Sequence, residues 1–339
     1  MIHFCTYCDR GYAARLLCLH ESLRAQGEAF RLHVLCFDAD TEAVVKAAGH
    51  ADLVPVALGE LLRADPDFAA VRDRRSAVDF FFTATPVWVR YCFGREPTAE
   101  RMTYLDADLY FFGAPSAVLA AQGEASVGLV PHRFPARLAE RLIYGTYNVA
   151  WVSFRRDRDG LAALEWWRER CLEWCHDRVE SGRFADQGYL DEFPRRFAGV
   201  RVLDHPGINA APWNAAEVEL TRRAGRMELD GRPLLFFHFQ GIREVLPGWF
   251  DPGLKGYGAA LSAGLCDWVY GPYLEQLVAT QRRLQRDHGI APRIGFDRLG
   301  AGASWRERWE RIRARWFVPY VRRWRGELLH IIAKVERAP

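Results

Sequence analysis

The chain lacks the features that would place it in a membrane or an export pathway. None of its 339 residues fall in a run approaching the roughly 18 apolar residues that a membrane-spanning helix needs. The amino-terminal MIHFCTYCDRGY has no basic segment followed by an apolar one, so we expect no signal peptide. Half of the residues are hydrophobic, which excludes a disordered chain. These observations predict a globular, cytoplasmic protein.

The eight cysteines do not form a clear disulfide or zinc framework. Several lie in apolar runs, where cysteine packs as a small hydrophobic residue: Cys18, Cys36 and Cys92. A split zinc site from Cys5-x-x-Cys8 and Cys171-x3-Cys175 is conceivable. However, Cys5 belongs to a strand pattern, and the second pair lacks the usual tight spacing. We therefore expect free thiols, in agreement with a cytoplasmic location.

Charge is nearly balanced overall but is unevenly distributed. The net charge is +3, yet residues 301–339 carry a net +6, so the rest of the chain is at −3. Aromatic and aliphatic residues recur at helical steps in this tail: Trp305, Trp309, Ile312, Trp316, Tyr320, Trp324, Leu328 and Ile331. The pattern predicts a basic amphipathic helix over 304–335, kinked at Pro319, in peripheral contact with the inner face of the membrane. A helix docked on the catalytic domain and an oligomer contact stay open; nucleic-acid binding is disfavoured because no recognisable fold accompanies the basic residues.

Strand and helix patterns alternate along most of the chain. Strands are predicted at 2–7, 31–37, 53–57, 103–105, 126–131, 147–154, 200–203 and 233–239, and helices at 13–26, 41–49, 78–93 and 161–178. A helix start or kink is expected at Pro86. This order predicts an α/β fold with a mostly parallel sheet flanked by helices. Ligands of such sheets bind at the carboxyl ends of strands.

One strand ends in a pair of carboxylates. Asp106-Ala107-Asp108 separates the apolar run before it from Leu-Tyr-Phe-Phe after it. The other three D-x-D pairs lie in turns, helix caps or solvated loops. Buried carboxylates need a partner, and Mn²⁺ or Mg²⁺ is suitable because hard cations take carboxylate oxygens. The alternative is a strand-end turn with capped carboxylates.

Several later polar residues are also candidates for the same crevice. Asn148 lies at a strand entrance, Asp186-Gln187 precedes or caps a short helix, and 209–214 is an irregular loop with Asn and Trp. His238 lies at a strand end, where it is either a core histidine or a metal ligand. Arg90 is a lone cation in an apolar run, either a surface arginine or a phosphate contact.

The order Tyr-Leu-Asp106-Ala-Asp108, Tyr-Asn148, Asp186-Gln187 and His238-Phe-Gln-Gly over residues 1–250 resembles the GT-A fold nucleotide-sugar glycosyltransferases. The closest likeness is to glycosyltransferase family eight and related bacterial transferases. The resemblance implies three ligands for Mn²⁺ or Mg²⁺ on the donor diphosphate: Asp106, Asp108 and His238. It implies contacts to the nucleotide from Thr6, Tyr7, Asp9, Tyr12, Arg90, Asp106, Ala107, Arg243 and Lys255. It also implies that Asn148, Asp186 and Gln187 line the donor sugar and that 209–214 faces the acceptor.

The chain departs from family eight where a lysine usually clamps phosphate. Glu244 stands at that position, so Arg243 and Lys255 are the remaining candidates. The resemblance implies transfer from a nucleotide diphosphate, most of all a UDP-sugar, to a glycan or lipid-linked glycan with retention. Alternatives are a sugar-nucleotide-forming nucleotidyltransferase, for which Asp-Arg-Gly is a poor phosphate loop, and a non-catalytic nucleotide-sugar-binding protein. We expect a catalytic domain over 1–250, a helical extension packed on it over 251–300, and the basic helix within 301–339.

Overall fold

The computed structural model describes residues 1–292 and 329–330. The strands are β1 (Ile2–Cys8), β2 (Phe30–Cys36), β3 (Leu53–Ala57), β4 (Arg101–Leu105), β5 (Leu109–Phe111), β6 (Val127–Pro131), β7 (Tyr147–Arg155), β8 (Val200–Val202), β9 (Leu220–Arg223), β10 (Arg226–Leu229), β11 (Arg232–Pro233), β12 (Phe236–His238), β13 (Arg243–Leu246), β14 (Trp249–Asp251) and β15 (Leu329–His330). The α-helices are α1 (Ala13–Arg24), α2 (Ala39–Ala47), α3 (Leu58–Ala64), α4 (Pro66–Val71), α5 (Ala77–Arg95), α6 (Pro115–Gln122), α7 (Arg158–Glu173), α8 (Phe193–Arg196) and α9 (Gly271–His288). Short 3-10 helices span Arg72–Arg74, Ala136–Tyr144, Gln187–Glu192, Ala215–Glu217 and Leu254–Tyr257, and a π-helix spans Leu265–Tyr270.

A seven-stranded sheet forms the centre of the molecule, in the order β3-β2-β1-β4-β7-β6-β8. Strands β1 to β4 are parallel, and β7 runs antiparallel to both of its neighbours. The strands are buried on both sides, because helices cover both faces of the sheet. The predicted α/β class and mostly parallel sheet are confirmed.

Two hydrophobic clusters lie on opposite faces of this sheet. One packs α5 and α7 against it through buried aromatic residues, among them Trp88 and Trp167. The other packs α1 and α2 against it, with Leu16 and Val44 buried. The alternation of side chains along each strand sends successive residues to the two clusters. The sheet is therefore held firmly enough to position polar groups at its edges.

A small antiparallel sheet of β5 and β12 lies beyond the end of β4. Leu109 of β5 is paired with His238 of β12, and the amide of Phe239 donates to the carbonyl of Asp108 at 3.0 Å. Since β5 begins directly after the Asp106–Asp108 turn, this register brings His238 to the two carboxylates. Two segments that are far apart in the chain meet at one point.

The helix α9 packs on α1, as buried Tyr273 and Leu277 share a cluster with Cys18. Arg283 forms an ion pair with Glu21 at 3.1 Å on the surface of the same contact. No helix in the part of the chain described, 1–292 with 329–330, is both long and apolar enough to cross a membrane.

The structure corrects three expectations about helices. The helix α5 does not start at Pro86, which lies inside it; the helix begins after the cap Ser76, whose side chain accepts from the amide of Asp79. The helix α7 ends at Glu173, because Trp174 is extended. Leu329–His330, placed inside the predicted basic helix, forms β15 beside β14, with Leu329 buried. The rest of 304–335 lies outside the described residues.

Candidate active site

Two carboxylates and one imidazole converge beyond the end of β4. The Nε2 atom of His238 lies 3.2 Å from Oδ1 of Asp108 and 3.7 Å from Oδ2 of Asp106. One ligand atom from each residue lies within 4.8 Å of the others. Asp108 and His238 are buried, and Asp106 is partly exposed. The set of two carboxylate oxygens and an imidazole nitrogen suits Mn²⁺ and Mg²⁺, with Asp106 open to a ligand.

The local fold holds these groups in place. The amide of Asp106 donates to the carbonyl of Ala150 on β7 at 3.1 Å, and the Tyr104 hydroxyl donates to Oδ1 of Asp106 at 3.0 Å. The amide of His238 donates to the carbonyl of Ala210 at 2.7 Å. The backbone hydrogen bonds fix the carboxylates and the imidazole before any ligand arrives, so little ordering is needed on binding.

Burial and proximity shift the pKa values of all three groups. Burial raises the pKa of Asp106 to about 6, against the opposing effect of His238. Burial alone would raise the pKa of Asp108, but His238 and Arg15 outweigh it and lower that pKa. The two carboxylates outweigh burial and raise the pKa of His238. The ring atom Nδ1 of His238 is buried and has no hydrogen-bond partner among the described residues. The cluster therefore carries a negative charge that a cation would neutralise.

A second polar group lies beside this triad. The hydroxyl of Tyr7 is 3.2 Å from that of Thr85, and the ring of Tyr7 lies 5.5 Å from that of Tyr104. Thr85 also hydrogen-bonds the buried carboxyl of Asp186. Burial raises the pKa of Asp186 to about 7, and the charge of Asp106 raises it further against the Thr85 hydrogen bond. The carboxyl of Asp186 therefore lies within electrostatic reach of Asp106.

Asn148 and Gln187 meet in one hydrogen-bond network. The side-chain amide of Asn148 donates to Oε1 of Gln187 at 2.9 Å and lies 3.2 Å from Nε2 of His132. Gln187 in turn donates to the carbonyl of Tyr144 at 2.8 Å. Burial lowers the pKa of His132 to about 3, so this imidazole is neutral. The network fixes the amides at the entrance of β7.

The irregular loop 209–214 joins that network to the triad. Trp213 and Asn214 both donate to the carbonyl of His132, at 2.7 and 2.9 Å. The ring of Trp213 meets that of His238 edge-on at 5.5 Å. Asn209 holds a positive φ of 58°, a conformation that asparagine tolerates better than most residues. The loop is therefore held between His132 and His238 by hydrogen bonds and a ring contact.

A cavity of about 860 Å³ opens beside Asp108, and its lining carries five cations and four carboxylates. The cations on its wall are Arg10, Arg15, Arg141, Arg243 and Lys255. Arg15 donates to the carbonyl of Ile242 at 2.9 Å and lies 4.5 Å above the ring of Tyr12. Arg243 pairs with Asp251 at 3.2 Å. Both candidates for the phosphate clamp, Arg243 and Lys255, therefore lie on the same cavity as one carboxylate of the triad.

The remaining predicted nucleotide contacts are dispersed. Asp9 lines a separate cavity of about 530 Å³, with aromatic walls from Phe37 and Phe81. The side chain of Thr6 is fully buried in the sheet, and Ala107 is buried between the two carboxylates. Arg90 is half-exposed on α5 and pairs with Glu165 at 2.8 Å and Asp65 at 3.8 Å. The guanidinium of Arg90 is thus held by a carboxylate of α7 and by one at the start of α4.

Four residues of this site are absent from the sequence-based set. They are Arg15, Thr85, Tyr104 and His132. Arg15 follows Tyr12 by one helical turn, a spacing that could have placed it on the same face of α1. Tyr104 precedes Asp106 by two strand positions and thus shares its face. Thr85 and His132 have no local signal, because their partners lie on other elements: Tyr7 is 78 positions from Thr85, and Asn148 is 16 from His132.

Comparison with known proteins bears on the fold and on the family. No protein-family model matches the chain. The galactosyltransferase LgtC, solved with donor and acceptor sugar analogues, superposes with a TM-score of 0.50 at 16% identity, covering 82% of this chain and 96% of LgtC. The fold is therefore the GT-A-like fold of nucleotide-sugar glycosyltransferases.

Two relatives from Bacillus subtilis (strain 168) are similar in sequence. The uncharacterized protein YfnF is 34% identical over 255 residues, which cover 71% of this chain and 82% of YfnF. The uncharacterized protein YfnD is 27% identical over 278 residues, which cover 81% of this chain and 88% of YfnD. The chain belongs to the YfnF family.

Proposed function

We propose that this protein is a metal-dependent, retaining glycosyltransferase. It moves a sugar from a nucleotide diphosphate, above all a UDP-sugar, to a hydroxyl of a glycan or lipid-linked glycan. The observation that supports this most directly is the convergence of Asp106, Asp108 and His238, with ligand atoms within 4.8 Å of one another. The cavity beside Asp108 and the GT-A-like fold support it further.

In this proposal the donor diphosphate lies between the triad and the cations that line the cavity beside Asp108. A Mn²⁺ or Mg²⁺ held by Asp106, Asp108 and His238 would supply a Lewis acid for the charge that develops on the leaving diphosphate. Arg15, Arg243 and Lys255 would contact phosphate oxygens, since cations in a partly enclosed cavity stabilise such charge well. Tyr104 orients Asp106 through its hydrogen bond.

The sugar would lie toward the polar groups at the entrance of β7. Transfer breaks the bond between the anomeric carbon and the phosphate oxygen and forms one to the acceptor oxygen on the same face. The hydroxyl proton leaves with the nucleoside diphosphate. The anomeric carbon becomes positive, and oxygen atoms of Asp186, Gln187 and Asn148 are suited to stabilise it. The loop 209–214 would contact the acceptor through Trp213.

The first test is thermal melting with a panel of nucleotides and nucleotide sugars, with Mn²⁺ or with EDTA. We expect UDP and one or more UDP-sugars to raise the melting temperature only with Mn²⁺, because ligands stabilise the state that binds them. The shift should vanish in Asp108→Ala. Glu165→Gln is a suitable control, since Glu165 pairs with Arg90 and not with the triad. No shift with any nucleoside diphosphate would contradict the donor site.

Turnover distinguishes sugar transfer from its rivals. A glycosyltransferase releases the nucleoside diphosphate from the sugar donor, at least slowly to water, in a reaction that needs the metal. Consumption of a nucleoside triphosphate with a sugar phosphate would instead identify a nucleotidyltransferase. Donor binding with no release under any metal condition would favour a binding protein.

Arg15 provides a second test of the donor diphosphate. We expect Arg15→Gln to weaken UDP binding in Mn²⁺ by roughly 10- to 100-fold, as hydrogen bonds to charged groups contribute about 1.5–3 kcal/mol. Arg90→Gln should change the affinity less than about twofold, because Glu165 and Asp65 already hold Arg90. Calorimetric titration measures both. Equal losses in the two variants would restore Arg90 as the phosphate contact predicted from the sequence.

The proposal includes a cytoplasmic enzyme that approaches its acceptor at the inner face of the membrane. The basic composition of 301–339, with a net charge of +6, supports this part. Sedimentation of the full chain with anionic and with neutral vesicles is the measurement. Binding to anionic vesicles that weakens with salt is expected, and no binding would remove the membrane contact from the proposal.

A further inference from the structure

A second cluster of metal-ligating side chains lies on the face of the central sheet that α5 covers, away from the triad. It contains His3 near the start of β1, His33 in β2 and Glu96 directly after α5. One ligand atom from each lies within 4.8 Å of the others. The triad follows the carboxyl end of β4, which is parallel to β1, whereas His3 lies at the amino end of β1. The two clusters therefore do not share a ligand.

The strand register explains why the two histidines meet. Cys5 is paired with His33, and His3 precedes Cys5 by two positions, so all three side chains point to the face that α5 covers. Glu96 caps α5 with its amide on the carbonyl of Cys92, and its own carbonyl accepts from Arg156 at 2.7 Å. The backbone of each ligand is thus anchored independently.

Both histidines are buried, and each has a ring nitrogen that makes no hydrogen bond among the described residues. His33 is 1% exposed and His3 is 8% exposed. Nδ1 of His3 and both ring nitrogens of His33 are buried without a hydrogen-bond partner among the described residues. Buried polar atoms in proteins are nearly always satisfied, so exceptions call for an explanation. A metal ion would supply one for an imidazole nitrogen of each ring.

The distances are close to those of a coordination sphere. Nε2 of His33 lies 3.2 Å from Oε1 of Glu96, and Nδ1 of His3 lies 4.0 Å from Oε2. Ligands at about 2.0–2.1 Å in a tetrahedral site are roughly 3.3 Å apart. A small contraction around His3 would suffice. Arg31 donates to Oε1 of Glu96 at 2.8 Å and would compete with the ion for this carboxylate.

We propose that His3, His33 and Glu96 form a second metal site, specific for a divalent transition ion such as Zn²⁺. Two imidazoles and one carboxylate are the donor set that zinc and its neighbours take, with one position left for water. The ion would join β1, β2 and the end of α5. It would thus stabilise the fold at a place separate from the proposed sugar-nucleotide site. The inference holds whether or not the proposed function is correct.

The test uses the untagged full chain carrying Asp108→Ala, which removes the other candidate site. After EDTA treatment and dialysis, we expect one Co²⁺ per chain with the visible absorption of a four-coordinate nitrogen–oxygen site, displaced by Zn²⁺. We also expect Zn²⁺ to raise the melting temperature. Glu96→Gln should abolish the spectrum and weaken Zn²⁺ binding at least 10-fold. Glu60→Gln is the matched control, because Glu60 pairs with Arg95 at 3.3 Å and lies outside the cluster.

Two further variants distinguish loss of the metal site from loss of folding. His3→Gln should also abolish the Co²⁺ spectrum, and it replaces a residue at the start of a strand. Arg31→Gln removes the competing guanidinium and is expected to tighten Zn²⁺ binding, a gain that misfolding cannot produce. The proposal is overturned if the Asp108→Ala chain binds no Co²⁺ or Zn²⁺, if Glu96→Gln binds as well as Glu60→Gln, or if Arg31→Gln does not bind more tightly.

Discussion

At the scale of single residues, Asp186 is a buried carboxyl that is still partly protonated near neutral pH. Burial raises its pKa to about 7, and it lies 3% exposed beside Thr85 and Tyr7. The unfolded carboxyl has a pKa near 3.9. At a pH between these two pKa values the folded protein therefore binds a proton that the unfolded chain does not. The free energy of unfolding must then fall as the pH rises from the lower pKa to the higher one.

We predict that Asp186→Asn removes this pH dependence. Between pH 5 and pH 7, in EDTA, the free energy of unfolding of the variant should gain on that of the parent by up to about 1.4 kcal/mol per pH unit. The amide keeps an oxygen that can accept from Thr85. Urea unfolding at several pH values measures the difference. Parallel pH profiles for the two proteins would contradict the raised pKa.

The sequence singles out residues whose signal is local. Asp106 and Asp108 stand out because they interrupt an apolar run, and His238 because it ends a strand. Thr85 could not be found in this way, because its partners Tyr7 and Asp186 come from distant parts of the chain. For Arg15 the helical spacing from Tyr12 is a local signal, but helix α1 gives no sign of its partner, the carbonyl of Ile242.

At the scale of elements, the site depends on how β12 enters the small sheet with β5. The carbonyl of Gly207 accepts from the amides of Leu235 and Phe236 at 2.8 and 3.2 Å. A Cβ atom on Gly207 would lie 1.9 Å from the carbonyl oxygen of Pro233. This glycine therefore allows the loop before residue 209 to pass against the segment that carries His238.

We predict that Gly207→Ala destabilises the protein by about 1–3 kcal/mol, the usual range for forced overpacking. It should also reduce the stabilisation by UDP with Mn²⁺, because relief of the clash moves the start of β12. Gly94→Ala is the control, since its Cβ would have no neighbour within 4 Å and it lies near the end of α5. That change should be neutral or stabilise by up to about 1 kcal/mol. Equal melting temperatures for the two variants would contradict the close approach.

Elements with a strong pattern are predicted from the sequence almost to the residue. β3 spans Leu53–Ala57 as expected, and α1 and β7 differ by a residue or two at their ends. Pro86 misleads because a proline inside α5 is tolerated in a helix that packs on the sheet. Tertiary contacts also outweigh the helical period at Leu329, whose side chain is buried beside β14.

At the scale of the whole molecule, the C-terminal part of the chain returns to the body through β15. His330 stacks on Trp249 with ring centroids 4.1 Å apart, and Leu329 is 7% exposed. This pairing covers one edge of the sheet formed by β13 and β14. Residues 329–330 therefore pack against the sheet of β13 and β14.

We predict that Leu329→Ala lowers the free energy of unfolding by about 2 kcal/mol, as expected for a buried leucine with partial relaxation. Leu142→Ala, at a leucine that is 49% exposed, should cost less than about 0.5 kcal/mol. Chemical unfolding of both variants is the measurement. If Leu329→Ala is no more harmful than the control, β15 does not stabilise the body.

The pairing of β5 with β12 also has a consequence for synthesis on the ribosome. Asp108 and His238 are separated by 130 positions (238 − 108), and among the described residues β5 and β12 form a sheet only with each other. A nascent chain that has exposed both aspartates still lacks the imidazole, and long-range pairing of this kind forms late. High-affinity binding of the proposed ion would thus mark translation past residue 238, and a chain interrupted before that residue would bind Mn²⁺ and Mg²⁺ only weakly.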